Sequence, residues 1–198
     1  MKLGDITSKD FMNDPKRLGI TLSRYKFVGK MFEDYKSVLE IGAGDGFKSL
    51  SLKDSFKELT LSDIKTIKKN NFEKTYKFKN IKYIINNFVN KPLNQTFDGI
   101  YALDVLEHIE KKNEKKFIVN VKKSLKTNGS LIIGMPSLQS QKYASKLAKK
   151  EHVNCKTKKE LKIFLSKFFS NVYMFSMNDE VLHTGFDDLS HYILGVCN

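Results

Sequence analysis

Nine residues near the start of the chain constrain it more than any others. Val38-Leu39-Glu40-Ile41 reads as a buried strand and runs straight into Gly42-Ala43-Gly44-Asp45-Gly46, three glycines at alternate positions. Glycine lacks the Cβ that would hold a ligand off the main chain and adopts positive φ freely, and a helix starting after such a turn offers N–H groups to a ligand. A dinucleotide-binding fingerprint would need its third glycine at position 47, where Phe47 stands, and no Gly-Lys-Ser/Thr follows to make a nucleotide triphosphate loop. A structural turn would read the same way, so a second feature is needed. The next apolar run ends in Leu61-Ser62-Asp63, which puts a carboxylate at the carboxyl edge of the neighbouring strand, where it can accept two hydrogen bonds from ribose hydroxyls.

Apolar runs of strand length recur at Val38–Ile41, Leu59–Ser62, Ile81–Ile85, Gly99–Leu103, Leu131–Met135, Val172–Met177 and Tyr192–Val196. Between the first six the pattern is mostly helical, as in Phe117, Ile118, Val121 and Leu125, which share one face before a stop at Asn128-Gly129. Thr157-Lys-Lys-Glu160 reads as a capping box opening a helix with the stripe Leu161, Phe164, Leu165, Phe168 and Phe169. Asp14-Pro15 reads as the cap and first turn of another, carrying Leu18, Leu22, Tyr25, Val28 and Phe32. Strand and helix in alternation mean an α/β fold with a mainly parallel sheet. The last two strands lie too close in sequence for a crossover helix, so that pair is expected to be antiparallel. A single domain over residues 1–198 is expected, with an N-terminal helical segment at 1–36 and a lid at 136–156.

These motifs resemble the class I S-adenosylmethionine-dependent methyltransferases of the small-molecule type, over nearly the whole chain. Glu40-Ile41-Gly42-Ala43-Gly44-Asp45-Gly46 is similar to their first motif, and Asp63 stands at the place of their ribose-binding acid. Asn86-Asn87-Phe88 ends the third strand where the family often has Gly-Asp, and Phe97-Asp98-Gly99-Ile100-Tyr101-Ala102-Leu103-Asp104-Val105-Leu106-Glu107-His108-Ile109 is similar to the fourth-strand motif. The resemblance implies a Rossmann-like seven-stranded sheet with an antiparallel last strand and helices on both faces. It implies S-adenosyl-L-methionine as cofactor, held by Glu40, Gly42, Ala43, Gly44, Asp63, Ile64, Asn87, Phe88 and Leu103.

Ligands of open α/β sheets bind outside the carboxyl ends of the strands. His108 follows the fourth strand, His152 lies beyond the fifth, His183 follows the sixth and His191 opens the seventh, so all four histidines are expected on that edge as catalytic candidates. A neutral histidine can take a proton from an acceptor hydroxyl near neutral pH, and His183 or His152 is the expected general base. The polar segment around Asn178, Asp179 and Glu180, with Tyr143 on the lid and Tyr25 on the leading helix, is expected to meet the methyl acceptor. Asp179, Glu180, Asp187 and Asp188 are suitable metal ligands, but their spacing from the histidines matches no short metal motif, and methyl transfer from a sulfonium needs no metal, so none is expected.

Thirty-five Lys and Arg against 22 Asp and Glu give a net charge of +13. Arg17 and Arg24 are the only arginines, and it is the arginine fork that reads base edges and grips phosphates bidentately, so sequence-specific nucleic-acid binding is disfavoured. A lysine-based field suits a polar or anionic small molecule: a sugar, nucleotide-linked or phosphorylated precursor methylated on oxygen. An RNA or protein methyltransferase, or a catalytically inactive cofactor-binding protein, is the alternative. Cys155 and Cys197 are too few and too far apart for a disulfide framework and read as reduced thiols. The opening Met1-Lys2-Leu3-Gly4-Asp5 has no apolar run of signal-peptide length and no window is long enough to cross a membrane, which points to a cytoplasmic protein.

Overall fold

A computed structural model describes residues 5–198, so the opening residues on which the signal-segment reading partly rests lie outside it. The chain divides into two compact units, residues 1–87 and 88–198.

The first unit begins with α1 (Asp5–Asn13) and α2 (Pro15–Met31), where the sequence pattern had one helix. Asp14 occupies the N-cap position of α2 without a side-chain cap, and Pro15 starts the helix as expected because a first-turn residue needs no N–H partner. Thr21, Tyr25 and Val28 of α2 are buried. Three parallel strands follow in the order β3-β2-β1: β1 (Ser37–Ile41), β2 (Glu58–Asp63) and β3 (Ile81–Ile85), with Ile41 level with Ser62, and Asp63 with Ile85. Val38 and Leu39 on opposite faces of β1, and Leu59 and Leu61 on one face of β2 with Thr60 and Ser62 on the other, are buried, so both faces of these strands are covered, as parallel strands require. The α-helix expected after the glycines is instead a short 3-10 stretch over Lys48–Leu52. Between β2 and β3 lies α3 (Thr66–Thr75).

The second unit carries β4 (Phe97–Leu103), α4 (Lys111–Lys123), β5 (Leu125–Pro136), α5 (Lys146–Glu151), α6 (Lys158–Leu165), β6 (Val172–Asn178), β7 (Val181–His183) and β8 (Tyr192–Cys197), with strand order β4-β5-β8-β6-β7. β4 and β5 are parallel, and β8 runs antiparallel to both β5 and β6, as its position after a short connection demands. The expected count of seven strands becomes eight among the described residues, because Val181–His183 turns back on β6 as an antiparallel hairpin partner.

Asn128-Gly129 is not a helix stop. α4 ends at Lys123, and Gly129 lies inside β5, where a Cβ would sit 2.9 Å from the Asp98 carbonyl oxygen and 3.0 Å from that of Phe97. The register between β4 and β5 shifts at this point, and only a residue without a side chain lets the two backbones close up. Thr157 does open α6 with a complete capping box, and Leu161, Phe164 and Leu165 are buried, as are Phe117, Ile118 and Val121 of α4. Among the described residues no helix is long and apolar enough to cross a membrane.

Candidate active site

In the first unit, β1 ends in a turn whose three glycines all adopt positive φ: 82° at Gly42, 61° at Gly44 and 74° at Gly46. Each value lies in the region that glycine enters without steric cost. At Gly44 a Cβ would meet nothing within 4 Å, so this stretch of backbone borders open space that a ligand can enter; at Gly46 it would run into the Phe72 ring at 2.4 Å. The N–H groups of Gly42 and Ala43 both donate to the Ser62 carbonyl, at 2.8 and 3.0 Å, which ties the turn to the end of β2.

Asp63 completes that tie. One carboxylate oxygen accepts the Gly44 N–H at 3.0 Å and the other accepts the Lys65 N–H at 3.0 Å. A carboxylate has about four acceptor sites, so two engaged backbone donors leave acceptor capacity for ribose hydroxyls. Glu40 is buried, its oxygens accepting the Tyr25 hydroxyl at 2.7 Å and the Ser49 hydroxyl. Tyr25, expected to reach the acceptor, is 3% exposed, and its hydroxyl donates to Glu40.

Tyr83 was missed by sequence reasoning. It is buried on β3 and its hydroxyl donates to the Gly44 carbonyl. Burial, then the charges of Asp63, Glu40 and Asp45, push its phenol far above the ordinary range, so it holds the turn as a neutral donor. The alternation of Ile81 and Tyr83 on one strand face was the available signal. Ile64, next to Asp63, is 62% exposed and offers an apolar surface. Asn87 is exposed, whereas Phe88 and Leu103, in the second unit, are buried.

Within the second unit the four histidines fall into two groups. His108 and His152 stand edge to face with ring centroids 5.1 Å apart. His108 Nδ1 lies 3.1 Å from the Glu151 carbonyl oxygen, and His152 Nδ1 lies 2.9 Å from Gln141 Oε1. Both partners are oxygen acceptors; the Gln141 amide orientation is fixed by its Nε2, which donates to Ser137 O and Ser140 Oγ. Each ring therefore donates through Nδ1, and in the neutral imidazole the lone pair falls on Nε2. What brings His152 to His108 is the Glu107 carbonyl, which accepts the N–H groups of Val153 and Asn154 at 2.8 and 3.0 Å. A buried cluster follows: Lys156 meets Glu114 at 2.7 Å and Asn154 at 3.0 Å, and Asn154 reaches the same Glu114 oxygen at 2.9 Å. Between them, Cys155 is pushed up to about 12 by burial and by the charge of Glu107, partly offset by Lys156, and it is a thiol at neutral pH.

The other two histidines serve the β6–β7 hairpin. His183 Nδ1 accepts the Gly185 N–H at 3.1 Å, which leaves the proton on Nε2, 3.3 Å from Asn178 Oδ1. Both ring nitrogens are thus engaged within the hairpin, and the general-base role expected of His183 would require the 3.3 Å contact with Asn178 to give way. His191 Nδ1 accepts the Asp179 N–H at 3.4 Å, and Asp179 takes a positive φ of 48° at the hairpin tip beside Glu180. The groups are linked through Ser137, whose N–H donates to His191 O and whose carbonyl accepts from Gln141. Tyr143, 81% exposed, closes a 3-10 turn over Gln139–Tyr143 in the segment expected to be a lid.

Residues 16–168 match the family of methyltransferase domains. The chain belongs to that family. Members of class I transfer a methyl group from S-adenosylmethionine, and the open, glycine-built turn with Asp63 beside it fits that cofactor. The chain is 31% identical over 112 residues to an uncharacterized methyltransferase of Staphylococcus carnosus (strain TM300), a match covering 57% of this chain and 53% of that protein, so it spans about half the length of that relative. Its fold is shared with the methyltransferase domain of bacterial CtHen1-C, at a TM-score of 0.73 and 20% identity, over 89% of this chain and 97% of the other. It is shared also with an S-adenosylmethionine-dependent methyltransferase from Clostridium acetobutylicum ATCC 824, at a TM-score of 0.71 and 13% identity, over 96% of each. The chain is therefore an α/β protein of the Rossmann-like class.

Proposed function

We propose that this methyltransferase transfers a methyl group to an oxygen of a small polar or anionic acceptor, in the class of sugars, nucleotide-linked sugars or phosphorylated precursors. The observation that carries the reading is the pair His108 and His152, each oriented by an Nδ1–H bond to an oxygen, so that Nε2 is the basic nitrogen of the neutral ring. Two such imidazoles are suited to binding and deprotonating an acceptor hydroxyl. Bound S-adenosylmethionine supplies the methyl group on a sulfonium, already a good leaving group. The turn at Gly42–Gly46 and Asp63 hold the cofactor through backbone contact and ribose hydrogen bonds, with Ile64 against the adenine and Asn87 at its edge. His152 takes the acceptor proton on Nε2 as the oxygen attacks, with His108 holding the acceptor. Asn178, Asp179 and Glu180 bind its polar groups, and the segment 136–156, with Tyr143, covers it and excludes water.

A thermal-shift series with S-adenosylhomocysteine, S-adenosylmethionine, NAD and ATP tests the cofactor half, since a ligand that binds only the native state raises the midpoint. A rise with the adenosyl-sulfur compounds alone supports it and a flat response to them sinks it. Release of S-adenosylhomocysteine on addition of sugar phosphates or nucleotide sugars tests the acceptor half. The lysine-rich charge favours RNA as the second reading, and turnover on RNA with none on small molecules would replace the first.

A further inference from the structure

Among the described residues, Glu107, His108 and His152 bring three ligating groups together. Glu107 is fully buried, His152 half-buried and His108 exposed, and one ligand atom from each lies within 4.8 Å of the other two. We propose that these three residues form a binding site for a divalent transition-metal cation, of the two-histidine, one-carboxylate type with open coordination positions.

Three observations carry it. Each Nδ1 donates to an oxygen acceptor, so the neutral form of both rings is the tautomer a metal requires if Nε2 is to bind. Metal-bound histidines almost always donate their other ring N–H to a carbonyl or carboxylate, and that outer bond fixes the ring in place. Here the anchors are Glu151 O and Gln141 Oε1, and Gln141 is itself held by Ser137 and Ser140. Second, the carboxylate is buried beside the two rings, and a cation bound there offsets the cost of a charge taken out of water. Third, the site is braced from two sides: Glu107 and His108 lie on one 3-10 turn at Leu106–His108, and the Glu107 carbonyl receives the Val153 and Asn154 N–H groups. The sequence separation of 44 positions between the histidines hides this cluster from any short-motif reading.

Ligand atoms around a cation with bonds of about 2.1 Å stand roughly 3 Å apart, so a bound ion draws the three groups inward by small side-chain rotations. Two imidazoles and a single carboxylate suit Zn2+, Fe2+, Co2+, Mn2+ or Ni2+ and do not suit Ca2+, which takes an all-oxygen shell. Three protein ligands leave positions to which an acceptor oxygen can bind. The site deepens the proposed function by giving the loaded protein a cation, in place of a bare histidine, to carry the charge of that oxygen; the binding claim itself does not depend on which acceptor is used.

Co2+ is the probe, because its visible absorption reports coordination directly. After chelation and desalting, the full chain is titrated with Co2+, and binding of S-adenosylhomocysteine is measured in parallel on every sample. The expected result is one Co2+ per wild-type chain, displaced by Zn2+. The double substitution His108→Asn, His152→Gln should weaken binding at least a hundredfold, while His183→Asn leaves it unchanged. Because the double variant could perturb the fold, ring-nitrogen NMR of the wild type with Zn2+ is the second measurement, with His108 and His152 expected to shift and His183 and His191 not. The absence of stoichiometric Co2+ binding in the wild type, or full binding by a folded double variant, overturns the site. Loss of S-adenosylhomocysteine binding with Co2+ binding intact would instead strike the cofactor reading and leave the metal site standing.

Discussion

The carboxylate of Asp63 accepts the backbone N–H of Gly44 at 3.0 Å, joining the end of β2 to the glycine turn after β1 across 19 positions of sequence. One residue thus shapes the turn and, in the proposed function, binds the ribose of the ligand the turn accommodates. Asp63→Ala should weaken S-adenosylhomocysteine binding by about 1.5–3 kcal/mol, the usual range for a lost charged hydrogen-bond acceptor. Calorimetry giving an affinity equal to wild type would remove Asp63 from the site.

Gly46 and Gly44 should respond differently to alanine. At Gly46 the added Cβ meets Phe72 at 2.4 Å as well as a φ of 74°, so Gly46→Ala should lose both stability and cofactor binding. Gly44→Ala meets only open space and should cost about 1–2 kcal/mol from left-handed backbone strain, with cofactor affinity falling if, as in the proposed function, the ligand passes this backbone. Urea unfolding together with calorimetry separates the two.

The histidines divide by role. His152→Gln should lower kcat at least tenfold with S-adenosylhomocysteine affinity unchanged, the pattern of a group acting on the acceptor. His183→Asn should lower the unfolding midpoint and leave most of kcat, since the ring ties Gly185 to Asn178. A larger kcat loss in His183→Asn than in His152→Gln would return the base to the hairpin.

Lys156 and Glu114 pair at 2.7 Å with both side chains nearly buried. Removing one partner of a buried pair strands the other, so Lys156→Met should destabilise by about 3–5 kcal/mol, and Lys156→Met with Glu114→Leu should recover much of it. Equal losses in the single and double variants would mean that the pair contributes through shape alone.

Cys197 is pushed up to about 12 by burial, from an ordinary value of 9.0. The unfolded chain then releases this proton at lower pH than the folded one, so the contribution to stability is complete below about pH 9 and is lost as pH rises toward about 12. Between about pH 8 and about pH 10.5 the unfolding free energy of the wild type should fall more steeply than that of Cys197→Ala. Parallel slopes would show that the thiol is not held protonated by the fold.

What the sequence determined by itself was local. Alternating strands and helices, the three glycines and the acid closing the next strand are written in consecutive residues, because hydrophobic period, φ preference and capping act over a few positions; the capping box at Thr157 and Glu160 formed as read. Where the reading failed, distant contacts had overridden local preference. Gly129 marks a close passage of β5 against β4 that no helix-stop signal reveals, and the hairpin of β7 on β6 depends on a pairing partner rather than on its three residues. Four histidines could be placed near one sheet edge from topology, but their chemistry could not be divided. A ring nitrogen is a base, a ligand or a mere donor according to which atom faces its other nitrogen. Those atoms, Glu151 O, Gln141 Oε1 and the Gly185 N–H, are delivered by tertiary structure alone.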